Sequence, residues 1–154
     1  MPIDDFHWSN RSQRDPSPWA GLPSIDQEHH ELVMKLEALI DSVDAHPDAI
    51  RFSAILGDLA HALAAHFSSE EAVMASLNMP AATISAHARA HREILDQCAR
   101  LTLDLERGKI FSRSKVALMI KGWIVDHFVH YDLAIEKYIP TGSATDLQEK
   151  RPAP

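Results

Sequence analysis

Five histidines and two carboxylates occur at spacings that suit shared metal ligation. They are His29, then His66 with Glu70, His87 with His91, and His127 with Asp132. Residues four apart lie on one face of a helix, so a pair at that spacing aims both donors at one point. A mixture of imidazole and carboxylate donors suits iron. The set therefore predicts a site for two metal ions.

These residues lie within apolar stripes of helical period. In the first stripe His29 stands among Ile25, Leu32 and Leu36 at steps of four and three, which places it at a core position. In the other three stripes the candidate ligands likewise occur among apolar residues. A single histidine of this kind is more often an ordinary core residue with a hydrogen bond. Seven polar groups from four helices would bury costly charge unless cations compensated it, which favours the metal site.

Asp132 differs from the other candidates in its spacing. It follows His127 by five residues, which is about 140° further round a helix with 3.6 residues per turn. We therefore expect Asp132 to approach the site from the flank rather than from directly above His127.

The elements that must position these residues are four helices. A capping box beginning at Ser24 starts the first helix, which ends near His46, and the second runs to about Leu77. Gly108 closes the third helix, and Ser112 or Ser114 opens the fourth, which continues to about Tyr138. Short connections between them predict an all-α, up-down-up-down antiparallel four-helix bundle with an N-terminal extended segment.

The chain length favours one compact domain. Of its 154 residues, we assign 1–21 to an extended segment that packs on the bundle, 22–140 to the bundle, and 141–154 to a mobile tail. The first 21 residues do not resemble a secretory signal, and no later segment is apolar enough to span a membrane. We therefore expect a cytoplasmic protein and, in the absence of any feature that suggests assembly, a monomer.

Charge and cysteine content restrict the partners. The net charge of −7 disfavours nucleic acid and anionic membranes, and no basic stripe offsets it. The single cysteine, Cys98, excludes a disulfide framework, and its place on the third apolar stripe indicates packing.

Four stretches resemble the signature motifs of hemerythrins, specifically the bacterial single-domain kind. They are residues 25–32, 66–71, 87–91 and 123–132, within a resemblance that covers about 19–139. Carried over residue by residue, the resemblance implies that one iron binds His87, His91 and His127. It implies that a second iron binds His29 and His66, and that Glu70 and Asp132 bridge both irons with a solvent-derived oxo or hydroxo group.

The implied ligand count leaves one open coordination position, at the iron held by His29 and His66, where dioxygen would bind. The expected function is reversible dioxygen binding for transport, storage or delivery, without catalysis, and an oxygen-consuming enzyme is a candidate partner. The alternatives are a diiron oxygen or redox sensor and a diiron enzyme that acts on peroxide or nitric oxide. A structural zinc site is less favoured because such sites close at four ligands.

The chain departs from the family pattern beside one ligand and between two helices. Glu28 precedes His29 where the family usually has glutamine, so Glu28 is a candidate to hydrogen-bond near the site. Met79 stands before proline where an aromatic residue is typical. His130 is the other candidate for a supporting hydrogen bond, whereas Glu71 is expected to face solvent. The residues expected to keep the dioxygen site dry are Ile25, Leu32, Leu63, Phe67 and Leu101.

Overall fold

The computed structural model describes residues 22–45, 49–109 and 111–140. Its four long helices are α1 (Pro23–Ala45), α2 (Ala49–Ser76), α3 (Ala81–Glu106) and α4 (Arg113–His127). The chain then continues through a π-helical turn (Phe128–Asp132), a short helix α5 (Leu133–Ile135) and a 3-10 turn (Glu136–Tyr138). Helix α1 packs against α2 and α4, and α2 also packs against α3. The predicted all-α four-helix bundle is confirmed, and the described ranges contain no strand.

Two of the predicted segments lie outside the described residues. The N-terminal segment 1–21 and the C-terminal tail 141–154 therefore stay predictions. Within the part of the chain that the structure describes, no helix is long and apolar enough to cross a membrane.

Helix α1 begins two residues earlier than the capping box at Ser24 predicted. Pro23 is its first residue, and the Asp26 N–H donates to the Leu22 carbonyl at 2.9 Å. Proline is favoured at the first helical position because its fixed φ suits the helix. The N–H that it lacks would have no partner within the helix at that position. Ser24 therefore lies inside the first turn and is not the N-cap residue.

The turn between α3 and α4 follows the predicted chemistry. Gly108 has a φ of 75°, a left-handed conformation that glycine adopts without steric cost, and the Lys109 N–H donates to the Asp104 carbonyl at 3.0 Å. Ser112 is the N-cap residue of α4, where its side chain accepts from the Lys115 N–H. The choice between Ser112 and Ser114 is thereby resolved.

Two apolar clusters lie on either side of a polar layer in the bundle. The larger cluster includes Leu63 on α2 and Ile124 on α4, together with Cys98. The smaller cluster contains Met74, which follows the ligand positions on α2, and Ile135, which follows those near the end of α4. The predicted site residues of α2 and of the fourth helical segment therefore lie between the clusters, where surrounding side chains exclude water.

Candidate metal centre

The seven predicted ligands are buried together in this polar layer. Each is at most 5% exposed, and they are His29, His66, Glu70, His87, His91, His127 and Asp132. They come from α1, α2, α3, α4 and the π-helical turn. The side chains that the sequence predicted to converge do so.

Their potential ligand atoms form two groups, in each of which all the atoms lie within 4.8 Å of one another. The first group contains three histidines and two carboxylates: His87, His91, His127, Glu70 and Asp132. The second contains His29 and His66 with the same two carboxylates. Glu70 and Asp132 thus belong to both groups, as bridging ligands of two metal ions would.

Asp132 directs its two oxygens to different groups. Its Oδ1 lies 3.0 Å from His127 Nε2 and 3.1 Å from His87 Nε2. Its Oδ2 lies 3.3 Å from His29 Nε2. One carboxylate therefore faces both candidate metal positions.

Glu70 is the second shared carboxylate and is fully buried. Its Oε2 lies 3.1 Å from His91 Nε2 and 3.3 Å from His87 Nε2. The same oxygen lies 3.9 Å from the Nε2 atom of His66, which is on the preceding turn of α2. Together with the distances to Asp132, these distances show that all five histidines direct Nε2 toward the two carboxylates.

A π-helical turn brings Asp132 into this arrangement. The Leu133 N–H donates to the Phe128 carbonyl, five residues earlier, so the turn is one residue wider than an α-helical turn. The extra residue brings Asp132 back over His127. The prediction that Asp132 approaches from the flank assumed a regular α-helix and is wrong for that reason.

The carboxylates are stabilised in their ionised form in the metal-free protein. Burial raises the pKa of Asp132, but hydrogen bonds from histidines, that of His127 first, outweigh it and hold the pKa well below its usual range. Burial likewise opposes ionisation of Glu70, whereas hydrogen bonds from His87 and His91 lower its pKa overall. Both groups therefore offer the negative charge that a cation requires.

The pKa values of two of the histidines are shifted in opposite directions by this environment. Burial lowers the pKa of His87, but the adjacent Asp132 and Glu70 carboxylates outweigh it and raise the pKa to about 9. Burial, followed by the charge of His29, lowers the pKa of His66. In the metal-free protein His87 therefore favours its protonated form and His66 its neutral form.

The polar layer contains groups whose bonding a cation would complete. Within the described ranges, Glu70 Oε1 is buried without a hydrogen-bond partner. The Nε2 atoms of His87 and His127 lie 2.9 Å apart. An unpartnered buried polar group costs about 1–3 kcal/mol, and cations would accept the lone pairs of the converging nitrogens and oxygens. These residues fit a metal centre.

Two carboxylates outside the cluster support its histidines. Glu28 Oε2 accepts from His66 Nδ1 at 3.0 Å, as the sequence suggested. Glu71 Oε1 accepts from His91 Nδ1 at 2.8 Å, although sequence reasoning assigned Glu71 to solvent. Such partners fix the tautomer of a ligating histidine and make it a stronger donor.

The position of Glu71 carried a signal that the sequence interpretation missed. Neighbours on one helix do not face each other, which correctly separated Glu71 from Glu70. That argument considered α2 alone, whereas the partner of Glu71 lies on α3. Glu28 and Glu71 each stand directly beside a predicted ligand, and this shared adjacency was the available signal.

The structure places His130 away from the cluster. Its side chain is exposed, and its Nδ1 donates to the Asp126 carbonyl at 2.7 Å. Tyr131, which sequence reasoning did not single out, instead contacts the site by stacking on His127 with ring centroids 5.1 Å apart.

A small cavity with a mostly apolar lining adjoins the cluster, where His29, His66, His127 and Asp132 line it. Its volume is about 20 Å³, enough for about one water-sized molecule. Of the expected apolar residues, Leu32, Leu63 and Phe67 line it, whereas Ile25 and Leu101 do not. The apolar lining residues that the sequence interpretation missed are Val33, Ile94, Ile124 and Phe128.

Comparison with known proteins agrees with this geometry. Residues 20–139 match the family model described as the hemerythrin HHE cation binding domain. The chain belongs to this family. Bacteriohemerythrins from three strains of Campylobacter jejuni subsp. jejuni are each 26% identical to it over 114 residues, which cover 74% of this chain and 84% of the relative. No solved structure matches.

Membership of the hemerythrin family gives the cluster a context. The matched residues 20–139 include all seven converging side chains. The family description names a cation binding domain, and the cluster supplies buried anionic and imidazole donors of the kind that cations bind. The family match and the geometry together indicate a metal centre.

Proposed function

We propose that this hemerythrin-family protein binds dioxygen reversibly at a pair of iron ions. The observation that carries the proposal is the sharing of Glu70 and Asp132 between a three-histidine group and a two-histidine group. A shared pair of carboxylates suits two adjacent cations, and mixed imidazole and carboxylate donors suit iron. A single structural zinc would need only four ligands.

The two groups would divide the iron ions between them. His87, His91 and His127 would hold one iron, with the shared carboxylates completing its protein ligands. His29 and His66 would hold the other with the same carboxylates, and so would offer it one protein ligand fewer. When bound, the iron pair supplies the two electrons that reversible dioxygen binding requires.

The cavity supports assigning dioxygen to the two-histidine side. Both histidines of that group line it, whereas only His127 of the three-histidine group does. Its size suits a diatomic molecule rather than an organic substrate. The aliphatic side chains of Leu32, Val33 and Leu63 exclude water there. Exclusion of water favours a carrier because it slows autoxidation, in which bound oxygen leaves in a reduced form and the irons remain oxidised.

The donor types favour a carrier over an enzyme. Diiron proteins of the ferritin-like class bind their metals mainly through carboxylates, whereas this cluster offers five imidazoles and two carboxylates. Neutral donors stabilise high oxidation states of iron less well than carboxylates do. Cleavage of the O–O bond is therefore disfavoured, and reversible binding without O–O cleavage is the function that this set supports best.

The test is a spectroscopic oxygen cycle on protein of measured iron content. Protein reduced without oxygen is exposed to oxygen and then purged, through several cycles, while its visible absorption is recorded. We expect two irons per chain and an absorption band that appears and disappears with oxygen. One-way oxidation would favour a sensor, turnover of peroxide or nitric oxide would favour an enzyme, and lack of iron would overturn the proposal.

A further inference from the structure

The outer nitrogens of two ligand histidines, one in each donor group, hydrogen-bond to carboxylates from neighbouring helices. Glu28 on α1 accepts from His66 on α2, and Glu71 on α2 accepts from His91 on α3. His66 belongs to the two-histidine group and His91 to the three-histidine group. Each candidate metal position is therefore associated with its own outer carboxylate.

The contact of Glu71 determines how His91 faces the cluster. A carboxylate only accepts hydrogen bonds, so His91 Nδ1 carries the proton that Glu71 Oε1 receives at 2.8 Å. A proton on Nδ1 leaves the Nε2 lone pair available for a metal, and Nε2 points into the cluster, 3.1 Å from Glu70 Oε2. Phe67 stacks on the His91 ring at 4.0 Å between centroids, with an interplanar angle of 11°. Phe67 thus packs on the face of the His91 ring, and Glu71 holds its edge through Nδ1.

The charge of Glu71 has a further effect on a metal at that position. The four carboxylates Glu70, Asp132, Glu28 and Glu71 place negative charge in and beside the cluster. Oxidation of two ferrous ions to ferric ions would add two positive charges there. Each carboxylate removed therefore raises the cost of the ferric state, because excess charge in a buried site is poorly solvated.

We propose that Glu71 is a positioning residue that fixes His91 and stabilises the ferric state of the iron held by the three histidines. The inference rests on the proposed diiron function and assigns Glu28 the matching role at the other iron. The side chain of Glu71 is 42% exposed whereas that of His91 is 1% exposed. A partly exposed carboxylate is therefore hydrogen-bonded to a buried ligand.

The experiment compares four variants in the iron-loaded full chain: two of Glu71, one of Glu28 and one of Glu93. Glu71→Gln keeps an oxygen that accepts from His91 but loses the charge, whereas Glu71→Leu loses both. Glu93→Gln is the matched control, because Glu93 lies two residues from His91, is 67% exposed and pairs with Arg89 instead of a ligand. Iron content, ferrous affinity and reduction potentials are measured for each.

We expect Glu71→Gln to retain two irons and to show a higher reduction potential, by about 59 mV for each tenfold change in the ferric-to-ferrous preference. In half-reduced protein, Mössbauer spectra should show the three-histidine iron becoming ferrous first, whereas Glu28→Gln should favour reduction of the other iron. Glu71→Leu should in addition lose about 10–100-fold in iron affinity. Glu93→Gln should match the wild type.

Each contrary result has a distinct meaning. Unchanged potentials in Glu71→Gln, or a shift equal to that of Glu93→Gln, would overturn the inference while leaving the diiron proposal intact. A preference for the same iron in Glu71→Gln and Glu28→Gln would overturn the assignment of one carboxylate to each metal. Wild-type protein without iron would overturn both the inference and the proposed function.

Discussion

Asp132 lies five residues after His127, yet its Oδ1 is 3.0 Å from His127 Nε2 because a π-helical turn separates them. The turn converts a spacing unsuited to an α-helix into a shared ligand position. It also leaves Asp132 Oδ2 directed at His29, across the bundle. A single local irregularity in the helix thus connects the two donor groups.

Substitution of Asp132 tests this connection. Asp132→Asn keeps the shape of the side chain but removes the charge shared by both groups, so we expect the iron content to fall below two per chain. Elemental analysis after reconstitution measures the effect. The control is Asp126→Asn, which changes an exposed carboxylate on α4 and should keep two irons. Full iron content in Asp132→Asn would show that the carboxylate is dispensable.

Removal of a histidine from the three-histidine group should have a larger effect. His91→Ala takes away a ligand and leaves a polar cavity, so we expect loss of iron together with a lower unfolding temperature, because metal binding contributes folding free energy. His130→Ala is the control, since His130 is exposed and bonds the Asp126 carbonyl. Iron content that remained normal in His91→Ala would contradict the ligand assignment, whatever its stability.

The metal-free protein should lose stability as the pH rises above neutrality. His87 has a folded-state pKa of about 9 against an ordinary value of 6.5, so its contribution is complete below pH 6.5 and is lost as the pH rises through about 9. The loss is on the order of 3 kcal/mol, since one pKa unit corresponds to 1.36 kcal/mol. Urea unfolding of metal-free protein, at about half-unit steps between pH 6 and about 9, measures this loss.

Two comparisons assign this alkaline loss to His87. Metal-free His87→Gln should lack it, because glutamine does not titrate. Iron-loaded wild type should also lack it, because the metal replaces the proton on His87 at every pH in the range. An equal loss in His87→Gln would attribute the effect to another group.

The apolar cavity should control how long bound oxygen persists. Leu32→Ala enlarges the cavity beside His29 and admits water. We therefore expect autoxidation to accelerate at least severalfold, with no change in iron content. Leu36→Ala is the matched control, because Leu36 is buried one turn further along α1 and does not line the cavity. Both variants should lose about 2–5 kcal/mol of unfolding free energy.

The rate of decay of the oxygenated absorption band separates the two effects. If both variants autoxidise equally fast, general loosening of the core is responsible and the lining has no special role. If neither differs from the wild type, water reaches the irons by another route.

The sequence predicted the elements and the inner site well because burial leaves a periodic pattern. His29 interrupts an otherwise apolar stripe, and such an interruption is visible without a structure. The approach of Asp132 could not be predicted, since a π-helical turn depends on packing around it rather than on its own residue types. Glu71 was missed because its partner, His91, is on another helix, and relations between helices require their relative placement.

The two apolar clusters that close the polar layer from either side also bear on the kinetics of iron exchange. Between Leu63 and Met74 on α2, His66 and Glu70 are almost completely buried in the folded bundle. An ion would therefore be expected to enter or leave when helices separate locally, an event whose frequency depends on the stability of that region. Iron bound there would strengthen the same region and so make its own escape rarer. The chain would then be expected to retain its metal long after free iron has been depleted.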